Sequence, residues 1–269
     1  MHAHAFHSIE RGLFVCQYGP AGHAPALLWL HGLGASGLSF EKIVAHPQLL
    51  AFRHLVPDLP GYGRSPWPSE PLSLDSHACL IADWLAEKGE APVIVVGHSM
   101  GGTLGQILSE RHGERVAAFA NVEGNIGLDD CTSSAPVAAM TVERFSAVGF
   151  DALRDAVYRE GGRDEALKAY YVGLRLCDPR AFHLNARELV ELSRQGDLAG
   201  RLAALPQRSV YIAGRPGGAS PGSLAALSEA AVQTVVIEPS GHCPFVDQPD
   251  LFAGALREFV VGVSRWASP

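Results

Sequence analysis

Val93-Ile94-Val95-Val96-Gly97-His98-Ser99-Met100-Gly101-Gly102-Thr103-Leu104-Gly105 is the stretch whose reading decides the fold. Four consecutive β-branched residues describe a strand buried on both faces, as in the interior of a parallel sheet. Gly97-His98-Ser99-Met100-Gly101 then fits G-x-S-x-G, and the pattern continues as a helix from Leu104. Such a strand–turn–helix forces its central serine into a strained, exposed turn, and a Cβ at either flanking glycine would collide with neighbouring backbone. The turn lifts the Ser99 hydroxyl above the sheet at a helix N-terminus, where partial positive charge favours an anionic intermediate. Ser99 reads as a nucleophile, in preference to a structural turn residue.

Upstream, residues 6–18 alternate in polarity and break at Gly12, the pattern of an antiparallel hairpin. Ala26 to Leu30 is a second buried strand that runs into His31-Gly32-Leu33-Gly34-Ala35-Ser36. A glycine-bearing loop there can turn backbone N–H groups toward a substrate oxygen, with the amide of Leu33 as donor and that of Met100 as its partner. Phe40 to Leu50 and Leu72 to Gly89 have helical spacing, and His54 to Pro57 is a short strand. Asp58, which opens the turn-rich Asp58-Leu59-Pro60-Gly61-Tyr62-Gly63-Arg64-Ser65, is assigned to turn hydrogen bonding.

Downstream, the helix after the elbow stops near His112-Gly113, and Val116 to Val122 is another buried strand, ending in Glu123-Gly124-Asn125. From 126 to 206 the texture becomes helical and more charged, with no good strand run. So long a connection exceeds what a crossover needs, so it is expected to be an inserted helical cap over a core formed by 1–125 and 207–269. Within it, Met140, Phe145, Tyr170 and Tyr171 either line a pocket or pack between helices. Arg208 to Ala213 returns to the sheet, Gly214 to Gly222 is a Gly/Pro loop, and Leu224 to Ala231 is a helix. Val232 to Glu238 is the last strand, followed by Ser240-Gly241-His242-Cys243-Pro244 and an amphipathic helix over Leu251 to Trp266.

With 269 residues, 47% of them hydrophobic and 18% charged, the chain can bury a sizeable core. A net charge of −7 supplies no basic footprint for nucleic acid and repels an anionic membrane surface. The first residues lack the basic head and apolar core of a signal peptide, and no run has the length of a membrane span. Five scattered cysteines without a C-x-x-C read as reduced thiols, which points to the cytoplasm. His2, His4 and His7 are better read as an exposed terminus than as a metal tract, and no cofactor or metal site is expected.

Taken together, His31-Gly32 after the third strand, the Asp58–Ser65 loop, Gly97-His98-Ser99-Met100-Gly101-Gly102 and Ser240-Gly241-His242 resemble the α/β-hydrolase superfamily over nearly the whole chain. The resemblance implies a doubly wound, mostly parallel eight-stranded sheet with a lid between strands six and seven. It also implies that His242, after the last strand, is the general base. The family's acid usually lies just beyond strand seven in a G-x-x-D turn, but here that turn reads Gly214-Arg215-Pro216-Gly217. Some members, haloalkane dehalogenases among them, carry the acid at the end of strand six, the place of Glu123; Asp129, Asp130 and Glu238 are its rivals.

The expected activity is that of a serine hydrolase of small carboxylic esters, working through an acyl-enzyme. A serine at the elbow argues against the dehalogenases and epoxide hydrolases of the superfamily, which use aspartate there. Hydrolysis of a thioester, a lactone or a carbon–carbon bond uses the same groups and stands as the alternative within the class. A hydrolase-like ligand-binding protein is the alternative outside it.

Overall fold

The computed structural model describes residues 6–20 and 25–266. The strands are β1 (Phe6–Glu10), β2 (Leu13–Tyr18), β3 (Leu27–Leu30), β4 (His54–Asp58), β5 (Val93–His98), β6 (Val116–Val122), β7 (Arg208–Gly217) and β8 (Thr234–Gly241). They form one sheet in the order β1-β2-β4-β3-β5-β6-β7-β8. β2 is antiparallel to both β1 and β4, and every pair from β4 to β8 is parallel.

β5 shows why the four-residue apolar run exists. Val93 and Val95 point to one face, in a core with Leu28, Leu30 and Phe119. Ile94 and Val96 point to the other, with Leu27, Trp29 and Ala120. Helices cover both faces, so no position of the strand meets water, and period-two alternation of polarity is lost. One face carries α2 (Leu74–Glu87) and α3 (Met100–Arg111), and the other carries α1 (Glu41–Val44), α11 (Pro244–Asp247) and α12 (Pro249–Trp266).

Between β6 and β7 lie only helices among the described residues: α4 (Ser134–Ala138), α5 (Val142–Arg144), α6 (Phe150–Glu160), α7 (Glu165–Leu174), α8 (Pro179–Gln195) and α9 (Leu198–Ala203). α10 (Pro221–Glu229) then connects β7 to β8. Asp178 and Asp164 start α8 and α7 with side-chain caps, and Gly196 ends α8 in the left-handed conformation. Phe145 packs within this helical layer against α8 and Gly149, whereas Met140 both touches Gly149 and borders a surface cavity with His183 and Arg187.

Several boundaries differ from the sequence reading. The elbow helix begins at Met100, not Leu104, because Gly101 and Gly102 belong to its first turn. The helix expected over 40–50 shrinks to Glu41–Val44, since Pro47 disfavours helical geometry at His46. β7 runs on to Gly217: beyond Ile212 it no longer pairs with β6, so Pro216 sits where no amide is needed on that side. The last strand is displaced to Thr234–Gly241 because the Val232 amide is used to terminate α10, donating to the Leu227 carbonyl at 2.9 Å.

Candidate active site

The turn after β5 has the geometry that the glycines foretold. Ser99 sits at φ 54° and ψ −120°, outside the comfortable range of a residue with a side chain. A Cβ on Gly97 would stand 2.1 Å from the Gly101 carbonyl oxygen, and one on Gly101 would stand 2.0 Å from that of Leu30. The Ser99 amide donates to the Val122 carbonyl at 2.9 Å, which ties the turn to the end of β6. The Ser99 hydroxyl is half-buried and makes no hydrogen bond to a described residue.

β6 delivers Glu123 one residue beyond that carbonyl. Glu123 is itself at φ 55°, and its amide donates to the Ile212 carbonyl at 3.1 Å. Its side chain is 1% exposed and reaches His242: Oε2 lies 3.1 Å from Nδ1. Oε1 accepts from the backbone amides of Gly214 at 2.6 Å and Ala219 at 3.2 Å. These amides, one in the outer part of β7 and one just beyond it, belong to a stretch that carries no acid of its own. A Cβ on Gly218 would stand 2.4 Å from Glu123 Oε1, so the loop is glycine where the carboxylate passes.

The rival acids are occupied elsewhere. Asp130 Oδ2 accepts from the amides of Ile126 and Gly127 and from the Ser223 hydroxyl, and Oδ1 accepts from the Ser220 amide. Glu238 pairs with Arg215 on the surface, and Asp129 is exposed. Only Glu123 contacts His242 among the four.

His242 follows β8, and its side chain is 51% exposed, so the face away from Glu123 is open. His98 anchors it from behind: its Nε2–H donates to the His242 carbonyl at 2.8 Å, and the two rings lie 4.9 Å apart. Burial, with His242 close by, lowers the His98 pKa to about 3, so His98 stays neutral and serves as a fixed donor. The hydrogen bond to His242 joins two segments 144 positions apart and leaves no local pattern in the sequence.

His31 does pack, and in a defined tautomer. The Leu59 amide donates to Nε2 at 3.1 Å, so the proton is on Nδ1, which donates to the Gly32 carbonyl at 2.9 Å. That ring thereby clamps the Leu33 loop to the loop after β4. Asp58 does what its turn position suggested, accepting from the amides of Gly37 and Arg64 at 2.7 and 2.8 Å. Neither the Leu33 nor the Met100 amide makes a hydrogen bond to a described residue.

Cys243, next to the imidazole, is no competing nucleophile. Burial, reinforced by Asp247 and Glu123, pushes its thiol up to about 12. All five cysteines are free. Among the described residues no cluster of His, Cys, Asp or Glu is arranged to hold a metal; His2 and His4 lie outside them. No described helix is long and apolar enough to cross a membrane.

The sequence model of the alpha/beta hydrolase fold matches residues 25–177. A pimeloyl-[acyl-carrier protein] methyl ester esterase of Xanthomonas campestris pv. campestris is 32% identical over 267 residues, covering 90% of this chain and 97% of that protein. Lipase LipV of Mycobacterium tuberculosis is 36% identical over 117 residues, and the match spans 44% of this chain and less than half of the lipase, 43%. Among solved structures, a thermophilic esterase from Thermogutta terrifontis superposes with a TM-score of 0.76 over 97% of this chain and 99% of its own, at 20% identity. That structural likeness concerns the fold. An eight-stranded sheet of this order, with a strained serine at the end of β5 and a histidine after β8, and a family match across more than half its length, place this chain in the α/β-hydrolase fold family.

Proposed function

We propose that the protein is a serine hydrolase of small carboxylic esters in which Ser99, His242 and Glu123 form the catalytic triad. The observation that carries this reading is the Glu123–His242 contact of 3.1 Å beside a serine held in a strained elbow. A buried carboxylate on Nδ1 fixes the tautomer that leaves Nε2 free to accept a proton.

In this mechanism His242 Nε2 takes the Ser99 proton as Oγ attacks the ester carbonyl carbon. The oxygen of the tetrahedral intermediate is held by the amides of Leu33 and Met100, aided by the N-terminus of α3. Collapse breaks the carbon–oxygen bond to the alcohol, which leaves with the proton from His242. Water then attacks the acyl-enzyme with His242 again as base, releasing the acid and restoring Ser99. Apo hydrogen bonds of such sites tighten on substrate binding, so the free Ser99 hydroxyl fits the proposal.

The named relative acts on a methyl ester, which supports an ester over a thioester, a lactone or a carbon–carbon bond. Residues 126–206 are proposed to form a cap over the carboxyl end of the sheet, with 1–125 and 207–269 as the core. Free, scattered cysteines support a reducing compartment, the cytoplasm.

The test is covalent. A fluorophosphonate should label the wild type, an activated p-nitrophenyl ester should give a burst of product, and both should vanish in Ser99→Ala with the fold intact. Persistent labelling of Ser99→Ala would remove the nucleophile, and a folded wild type with neither burst nor labelling would favour a ligand-binding protein.

A further inference from the structure

α7 makes a close contact between the helical segment and the Leu33 loop. Gly173 lets it do so: a Cβ there would stand 2.8 Å from Ala35 Cα and 2.8 Å from the Gly34 carbonyl oxygen. Tyr170 lies three residues earlier, on the same face of the helix. A Cβ placed on Gly34 would stand 2.9 Å from the Tyr170 hydroxyl and 2.7 Å from each of Leu174 and Phe182. The phenol is thus laid against the residue that follows Leu33, with an apolar wall beside it.

The hydroxyl has no hydrogen-bond partner among the described residues, yet it is absent from the sealed, unpartnered polar atoms of the interior, such as both ring nitrogens of His77. A half-buried tyrosine whose hydroxyl is unused is a donor in want of an acceptor. Burial, together with the nearby sulfurs of Cys177 and Cys243, raises its pKa well above the usual tyrosine value. The group therefore stays protonated, which makes it a hydrogen-bond donor and rules it out as a base.

We propose that Tyr170 is a catalytic hydrogen-bond donor contributed by the helical segment, its hydroxyl assisting the Leu33 and Met100 amides at the ester oxygen that becomes negative. This rests on the ester-hydrolase reading above. It gives α7 a chemical reason to lie on the loop: closure of the segment completes the donor set, and opening dismantles it.

The experiment is steady-state kinetics on Tyr170→Phe with a p-nitrophenyl ester, alongside thermal melting and fluorophosphonate labelling. Phenylalanine keeps the ring against Gly34 and removes only the hydroxyl. The expected result is a kcat lowered about tenfold or more with KM little changed and an unaltered Tm, the signature of a donor used in the transition state. Gly173→Ala, which pushes α7 off Ala35 and carries the intact Tyr170 hydroxyl away from the Leu33 loop with it, should show a kcat loss of the same sign. A wild-type kcat in Tyr170→Phe overturns the proposal whatever happens to KM, and so does a kcat loss matched by loss of folded protein. An inactive, unlabelled wild type would instead sink the ester-hydrolase reading.

Discussion

Glu123→Gln preserves the shape of the side chain and removes its charge, and the surrounding hydrogen bonds dictate how the amide must sit. The position of Oε1 faces two donors, the amides of Gly214 and Ala219, so the glutamine oxygen has to stay there. The NH₂ group then occupies the position of Oε2, 3.1 Å from His242 Nδ1 in the wild type, and donates where the carboxylate accepted. An imidazole that accepts at Nδ1 carries its proton on Nε2 and cannot take another from Ser99. The substitution thus inverts the tautomer of the base as well as deleting a charge that would stabilise the imidazolium. Charge removal with tautomer inversion in a triad is worth about 10⁴ in kcat, about 5.5 kcal/mol at 1.36 kcal/mol per tenfold. The assay is the burst phase with a p-nitrophenyl ester, which isolates acylation, with melting as the control for folding. A burst rate within about tenfold of wild type would refute the tautomer argument. Collapse of activity in Asp130→Asn or Asp129→Asn, with Glu123→Gln still active, would show that another carboxylate does the work.

Gly218→Ala puts a Cβ 2.4 Å from Glu123 Oε1 and 2.4 Å from the Gly214 carbonyl oxygen, so either the loop or the carboxylate must move. Stability should fall by about 1–3 kcal/mol and kcat by on the order of 10–10², measured by melting and by steady-state rates; unchanged values for both would mean that the loop does not grip the acid. Burial lowers the pKa of His54 to about 4 and of His77 and His98 to about 3. These values lie below the unfolded value of about 6.5, so the unfolded chain binds the protons first and stability is lost as pH falls from about 6.5 toward 3–4; at pH 5 each histidine costs about 2 kcal/mol. Urea titrations should therefore show a steep fall in stability between pH 6.5 and 5, and a flat profile there would refute the assignment. His77→Leu removes two sealed, unpartnered ring nitrogens, and should raise stability by about 1–2 kcal/mol while moving the acid limit down.

What was legible in the sequence follows from burial and from local chemistry. β5 announced itself because a strand covered on both faces has no polar positions, and the elbow because a Cβ at its glycines would collide with backbone atoms, at 2.1 Å for Gly97 and 2.0 Å for Gly101. Glu123 was readable through a gap: the turn beginning at Gly214 lacks an acid, and a glutamate stood at the end of the neighbouring strand. The ends of β7 and β8 were not readable, because their extra residues pair only with each other and include Pro216 and Pro239, which count against a strand on local grounds. His98 as a latch on His242, and Tyr170 over Gly34, depend on contacts between segments more than a hundred positions apart, for which periodicity carries no information.

The placement of the acid also explains its length. Ser99 and Glu123 are joined through a single link, the Ser99 amide donating to the carbonyl of Val122, so the proposed nucleophile and the proposed acid stand at the ends of adjacent strands. The histidine arrives from β8, at the far side of β7, and an acid on β6 has to reach across the β7 end to meet it. The left-handed backbone of Glu123, at φ 55°, marks the break where the chain leaves the strand, and the side chain has to span the remaining gap. An aspartate there would draw the carboxylate back by about 1.5 Å, one carbon–carbon bond, more than a hydrogen bond of 2.6 Å to Gly214 and one of 3.1 Å to His242 can both absorb. The same reach requires that nothing occupy its path, which is why the chain meets the carboxylate with the Gly214 amide, the glycine at 218 and the Ala219 amide instead of a side chain. Glutamate on β6 and glycine after β7 are therefore one arrangement, and neither is intelligible without the other.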